Sequence, residues 1–197
     1  MLNQENRNGN TFNGNAFVDI TFLKDFKFTF NVGTTVNEIR YYTTTNPYYG
    51  FGAEQNGTVT MYHYRTTTLN LQQILNYSHN FGKHNISVML GHESYKYNYA
   101  ELSASKKNMF SYWGNHELNG AVIDGSSAAS YSNDYNTEGY FFRALYDYDA
   151  KYYFSASYRR DASSRFHPDH WWGNFYSVGG AYLMSKEDWF DVKWIDM

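Results

Sequence analysis

The sequence predicts an all-β fold: an antiparallel, up-and-down stretch of a transmembrane β-barrel, about seven strands of a larger one. Three observations predict it. Apolar and polar residues alternate with period two in segment after segment. Several of those segments exceed the roughly 10 residues that a strand needs to cross a bilayer. Short and long connections alternate along the chain, the pattern of barrels with tight turns on one side and longer loops on the other. Composition agrees: aromatic residues make up 21% of 197 residues, with 21 Tyr and 15 Phe against 2 Pro. Flat and β-branched side chains suit a pleated surface.

The elements follow in order. In the first segment Phe12, Ala16, Val18, Ile20 and Phe22 alternate with Asn13, Asn15, Asp19 and Thr21. Leu23-Lys24-Asp25 is a tight link. Phe26, Phe28, Phe30, Val32, Thr34 and Val36 then share one face, with Lys27, Thr29, Asn31 and Thr35 on the other. A third strand is expected from about Thr58 to Tyr77, with Leu69, Leu71, Leu75 and Tyr77 opposite Asn70, Gln72, Asn76 and Ser78. A turn over Asn80–Asn85 follows. The fourth strand sets Ile86, Val88 and Leu90 against Ser87 and Gly91. Further along, Tyr95, Tyr97 and Tyr99 take the opposite parity. Either a bulge shifts the register there, or this end projects beyond the membrane.

The fifth strand carries Tyr140, Phe142, Ala144, Tyr146 and Tyr148 opposite Arg143 and Asp147. Asp149-Ala150-Lys151 links it to a sixth, with Tyr152, Phe154, Ala156 and Tyr158 opposite Ser155, Ser157 and Arg159. The seventh has Tyr176, Val178, Tyr182 and Met184 opposite Ser177 and Gly179. Long connections are expected near 41–57, 102–136 and 161–172.

Bulk properties narrow the class. The net charge of -3 gives no footprint for nucleic acid. There is no Cys, so no disulfide frame and no thiolate metal site. The mean hydropathy of -0.68 suits a barrel, in which half of each strand faces a polar lumen. No window approaches the ~18 apolar residues that a membrane helix needs. The start, MLNQENRNGN, lacks the apolar core of a signal peptide. The end, FDVKWIDM, lacks a strand-closing pattern. Seven strands do not close an even-numbered barrel, and an open edge in lipid leaves backbone groups unsatisfied. The expectation is one partial barrel domain over residues 1–197, with a signal peptide and further strands outside it.

The most distinctive stretch runs from Glu138 to Phe190. Arg159, Arg160, Asp161, Ser163, Ser164, Arg165 and Phe166 form one block. Trp172, Gly173, Phe175, Ser177 and Gly179 form a second, and Ser185, Glu187 and Phe190 a third. This series resembles the SusC/RagA-like group of TonB-dependent outer-membrane transporters of Bacteroidetes, with Ala162, His167, Trp171 and Tyr182 departing from the usual pattern. Asn10–Glu101 resembles the family more loosely, through Leu75, Tyr77, Phe81 and His84. The resemblance implies a plug domain and a barrel of roughly 22 strands in the parent protein. It also implies a SusD-like surface lipoprotein, energy from the TonB complex, outer-membrane lipid around the wall, and an oligosaccharide or peptide as cargo. The plug is not visible in this sequence.

Each candidate site also has a plainer role. Tyr48, Tyr49 and Phe51, and separately Tyr112 and Trp113, fall in long loops as candidate substrate contacts; loop-on-loop packing is the plainer role. The Arg159, Arg160, Asp161 and Arg165 cluster suits an anion, or an ion-pair network fixing a strand exit. Ser163, Ser164, Phe166, Trp172 and Gly173 are expected to be structural. Trp171 and Trp172 suit a membrane-interface girdle, or sugar stacking. His167, Asp169 and His170 are a weak metal pattern, and Glu117 with Asp124 lacks the fixed separation that glycoside hydrolysis needs. No enzyme, cofactor or metal is expected. The rival readings are a soluble β-rich carbohydrate-binding module, and a passive porin or adhesin.

Overall fold

The computed structural model describes residues 3–112 and 116–190, leaving aside the side chains of residues 123–126. Among the described residues, seven strands form one sheet in chain order: β1 Gln4–Phe22, β2 Phe26–Thr45, β3 Thr58–Phe81, β4 His84–Met109, β5 Ala121–Tyr148, β6 Tyr152–Ser163 and β7 Trp172–Tyr182. A one-turn helix, α1 Phe51–Glu54, interrupts the β2–β3 loop. The short-long alternation of connections is present.

Several boundaries differ from the sequence reading. The six-residue turn expected at 80–85 shrinks to Gly82-Lys83, because β3 runs on to Phe81 and β4 starts at His84. Most of the loop expected at 102–136 is strand: β4 extends to Met109 and β5 begins at Ala121. The Gly/Ser/Ala run read as loop pairs well once a neighbouring strand supplies the ladder, since β-propensity follows context. Met184 lies in a 3-10 turn beyond β7.

The short turns explain themselves. Leu23 and Lys24 have φ of 50° and 63°, and Asp149 and Ala150 have 52° and 50°. Two successive left-handed residues give the hairpin twist that matches the flanking strands.

Register decides which side chains share a face, and a one-residue slip would exchange the faces. Across β5 and β6, Phe142 pairs Tyr158, Ala144 pairs Ala156, and Tyr146 pairs Phe154. Across β6 and β7 the same row continues as Tyr158 with Tyr176 and Ala156 with Val178. The alternate row holds Arg143, Ser157 and Ser177. The period-two stripes therefore join into one apolar face and one polar face.

Among the described residues nothing covers that apolar face. Among the described residues the buried apolar set is Val59, Met109, Tyr112 and Ala121. Tyr176 is 83% exposed and Val178 68%. A soluble sandwich would bury these stripes against a second sheet. This single layer needs an apolar solvent instead, which is the arrangement of a barrel wall in lipid.

The chain divides into two compact units. The first takes the chain through Gly14, Gly33–Leu69 and Lys96–Tyr135. The second takes Asn15–Val32, Asn70–Tyr95 and the chain from Asn136. In the second, the apolar face is bounded by aromatic belts. At the short-turn end Phe22 stacks on Phe26 (5.4 Å), Phe26 meets Tyr77 (4.8 Å), and His79 meets Phe81 (4.2 Å). The belt continues through His84 and Tyr148 (4.8 Å) and Tyr152 and Tyr182 (4.9 Å). Further along the strands His92 stacks on Tyr140 (4.8 Å) and Tyr140 on Trp172 (6.0 Å). From His84 to His92 on β4, and from Tyr148 to Tyr140 on β5, is about eight residues, or ~27 Å of strand at ~3.4 Å per residue. A tilt of ~40° reduces that to about 20 Å of height, close to the ~25 Å apolar band of a membrane barrel.

The polar face of the same unit is cross-linked. Thr29 donates to Asp19 (2.6 Å), Lys27 pairs with Asp19 (3.0 Å), Asn31 donates to Gln72 (3.4 Å) and Asn85 to Asp147 (3.0 Å).

Candidate functional site: a tyrosine-lined cleft

In the first unit the two faces exchange character. The strand parity that is polar in the second unit here carries Tyr41 on β2, Tyr62 and Tyr64 on β3, Tyr97 and Tyr99 on β4, and Tyr131 and Tyr135 on β5. The parity that is apolar in the second unit here carries Glu38 bonded to His63 (2.6 Å) and Asn98 bonded to Asp134 (3.0 Å). No bulge is needed to bring this about. Asn98 faces Asp134 in the same residue-for-residue register that sets Asn85 against Asp147. The opposite parity of Tyr97 and Tyr99 therefore needs no shift of register between β4 and β5.

The rings form a wall. Tyr41 meets Tyr62 at 5.5 Å, Tyr64 meets Tyr99 at 6.1 Å, Tyr99 meets Tyr131 at 6.0 Å, and Tyr97 stacks on Tyr135 at 4.9 Å. Four of them, Tyr41, Tyr62, Tyr64 and Tyr99, line a cleft of about 450 Å³ with Glu5, Arg7, Thr43, Thr60 and Glu101. Arg7 sits 6.0 Å over the Tyr64 ring and donates to its hydroxyl. Tyr99 donates to Glu101 (2.5 Å), and that bond to an anion pushes its pKa up to about 12. Burial raises Tyr41, with the Glu5 charge adding to it. Such a wall offers apolar ring faces and hydroxyl edges together, the pairing that recognises a sugar ring or a peptide side chain.

The sequence-derived candidates scatter. Tyr48 and Tyr49 are exposed in the β2–β3 loop, 67% and 49%. Its fold is fixed by Tyr48 donating its backbone N–H to Asn46 (2.8 Å) and by Gly52, where a Cβ would lie 2.2 Å from the Asn46 carbonyl. Tyr112 is 3% exposed, packed with Val59, Met109 and Ala121. It holds the base of the β4–β5 connection together and offers no surface to a ligand as it stands. Trp113, the side chain of Asp124 and residues 191–197 lie outside the described residues.

The Arg-rich block divides between the faces. Arg159 turns to the polar face, where its Nε bonds both Asp161 oxygens (2.8 Å each), its guanidinium reaches Glu93 (3.8 Å) and the Phe141 ring lies 5.6 Å away. Gly139 and Gly173 flank Asp161 in register, and a Cβ at Gly139 would come within 2.5 Å of the Asp161 carboxylate. Arg160 turns to the apolar face and lies 4.8 Å over Trp172. Ser163 and Ser164 close the loop by backbone bonds to Trp171 (3.1 Å) and Asn136 (3.0 Å), and Trp171 donates its indole N–H to Phe166 (2.8 Å). Arg165 and Phe166 are exposed in that loop. His167 and Asp169 contact each other (3.4 Å), and no group of three metal-ligating side chains occurs among the described residues. Beyond β7, Glu187 accepts from Lys151 (3.1 Å) and Tyr152 (2.9 Å), and the Lys151 bond holds its carboxyl below the usual range.

No family model matches the chain. A TonB-dependent receptor P3 of Formosa agariphila is 29% identical over 191 residues, which is 93% of this chain and 18% of the relative. The TonB-dependent receptor SusC of Bacteroides thetaiotaomicron is 26% identical over 195 residues, 95% of this chain and 18% of the relative. The solved RagAB peptide transporter superposes with a TM-score of 0.84 at 24% identity, over 92% of this chain and 20% of its own.

The chain is similar in sequence to TonB-dependent receptors, SusC among them, and in fold to the RagAB transporter. It spans about a fifth of the length of the relatives it matches. The kinship agrees with the sheet. An all-antiparallel wall with an unburied apolar face between aromatic belts belongs in the bacterial outer membrane. The relatives are receptors and transporters by name, not enzymes. The tyrosine wall of this SusC/RagA-like chain was missed in sequence, although its signal was there: Tyr95, Tyr97 and Tyr99 share a parity opposite to Ile86, Val88 and Leu90.

Proposed function

We propose that this chain is one part of the wall of an outer-membrane, TonB-dependent importer of oligosaccharides or peptides. The second unit supplies the membrane-spanning wall, and the first unit supplies the part of the wall that substrate meets. The observation that carries the reading is the exchange of faces between the units. Apolar residues face outward where the surroundings are lipid, and tyrosines face inward where the surroundings are water. An inner aromatic wall suits a receptor that captures dilute cargo. Residues 1–197 form a single partial barrel domain, completed in the parent by further strands, a plug and a TonB-contacting segment. A SusD-like lipoprotein at the cell surface is the expected partner, since the relatives include SusC and a RagAB pair named as a peptide transporter. Tyr48 and Tyr49 extend the contact surface from the β2–β3 loop.

The test uses the complete transporter in cells grown on a panel of neutral oligosaccharides and of peptides as limiting nutrient. Growth on at least one class should require TonB. Tyr64→Ala with Tyr99→Ala should raise the concentration of that nutrient needed for half-maximal growth by at least tenfold, at unchanged surface level. TonB-independent growth across the panel would leave a passive pore as the better account.

A further inference from the structure

The two arginines of the Arg159-Arg160 pair face opposite ways, and only one is neutralised. Arg159 spends its fork on Asp161 and Glu93. Arg160 lies flat on Trp172, and among the described residues no carboxylate, carbonyl or hydroxyl accepts from it. Its register partners are Tyr140 on β5 and Asn174 on β7. The Asn174 side chain is already engaged by the Tyr158 hydroxyl (2.8 Å). The nearby carboxylate of this face, Glu138, is held by Tyr140 (2.6 Å) and His92 (3.1 Å). A guanidinium carries five donors in a planar fork and is always charged. Here it stands on the lipid-facing side, at the aromatic belt of the long-loop end, where hydrocarbon gives way to head groups.

We propose that Arg160 on its Trp172 platform is a binding site for the phosphate of an outer-leaflet lipid. The inference rests on the facing assigned above. A phosphate presents paired oxygens that match the fork of Arg160 bidentately. Trp172 holds the guanidinium by cation–π contact and leaves its N–H edges free for an anion approaching along the membrane surface. Tyr140 and Tyr158 flank the position with apolar rings on the same face, against which acyl chains can lie. The lipid is the committed occupant because the site continues the apolar stripe of Ala144, Ala156 and Phe142.

The experiment purifies the complete transporter, reconstitutes it in phosphatidylcholine vesicles with lipid A or with its enzymatically dephosphorylated form, and counts glycolipid retained after extraction by native mass spectrometry. Wild type should retain the phosphorylated form at least threefold more than the dephosphorylated one. Arg160→Gln should abolish that preference, and Arg160→Lys should weaken it while confirming that a variant at this position inserts. Arg143→Gln, on the polar face, should leave it intact. A preference for the phosphorylated form in Arg160→Gln equal to that of wild type would overturn the proposal. A lipid-soluble nitroxide quencher against a fluorophore at Ala144→Cys reports the facing separately. Quenching with no Arg160 effect sinks the lipid site alone, whereas absence of quenching sinks the facing on which it rests.

Discussion

The two units of this sheet are built from the same strands and obey opposite rules. On β4, Ile86, Val88 and Leu90 take the outward parity in the second unit, and Lys96 and Asn98 take it in the first. Inward, Ser87 and Gly91 give way to Tyr97 and Tyr99. We attribute the difference to the surroundings, lipid against the second unit and water against the first. Where lipid lies outside, burial free energy puts apolar side chains there and polar ones in the lumen. Where water lies outside, the constraint is lifted, and the inner face is free to carry rings that suit a ligand.

The largest effect should come from forcing the rule of one face onto the other within the second unit. Phe28→Arg places a charge on the lipid side and should cost about 2–4 kcal/mol near the bilayer midplane. Lys27→Arg, on the polar side, should cost little. Urea unfolding of the complete protein in bilayers measures both, and equal losses would show that the faces are assigned wrongly. A smaller effect belongs to Gly91→Ala. A Cβ there would lie 2.0 Å from the Phe141 ring, so the ring must swing off its seat. Overpacking of this kind costs about 1–3 kcal/mol. An unchanged midpoint would mean that Phe141 does not cover Gly91 in the assembled wall.

The difference between the units also explains what could be read in advance. Phe26, Phe28 and Phe30, or Tyr152, Phe154 and Ala156, announce strand, face and environment at once, because lipid enforces strict alternation. The turn at Leu23-Lys24 was legible for the same reason, since both flanks were in phase. The first unit lacks that enforcement. Ala121–Asp134 is rich in Gly, Ser and Ala and predicts a loop, because small side chains carry no face signal and its pairing with β4 is a tertiary fact. Tyr95, Tyr97 and Tyr99 showed their parity but not its meaning, which required the partner strands to exclude a bulge. Tyr112 reads as a loop contact in sequence because its packing against Val59 joins it to the distant start of β3.

Carried to the first unit, the charge test should nearly vanish. Asn98→Arg has the same parity as Val88, but on the proposed facing water lies outside it, and surface substitutions of this sort fall within about 0.5 kcal/mol. A loss as large as that of Phe28→Arg would put hydrocarbon against β4 at Asn98 and remove the boundary between the units.

The smallest effect is confined to acid pH, at the short turns that close the second unit. Lys83 bonds Asp149 at 2.8 Å, and the Asp149 backbone N–H bonds the Lys83 carbonyl, tying the β3–β4 turn to the β5–β6 turn. The Lys83 bond lowers the Asp149 carboxyl below its ordinary 3.8. A lowered acid contributes stability above its ordinary pKa and loses that contribution as pH falls through the lowered one. The loss should therefore appear only below about pH 3.8. Asp149→Asn keeps the left-handed turn, which Asn tolerates as readily as Asp, and removes the titration. Its stability should follow wild type in slope from neutral pH down to that point and then fall less steeply. Parallel curves below it would show that the charge on Asp149 does nothing to hold the two turns together, leaving the backbone bond and the aromatic belt to close this end of the wall.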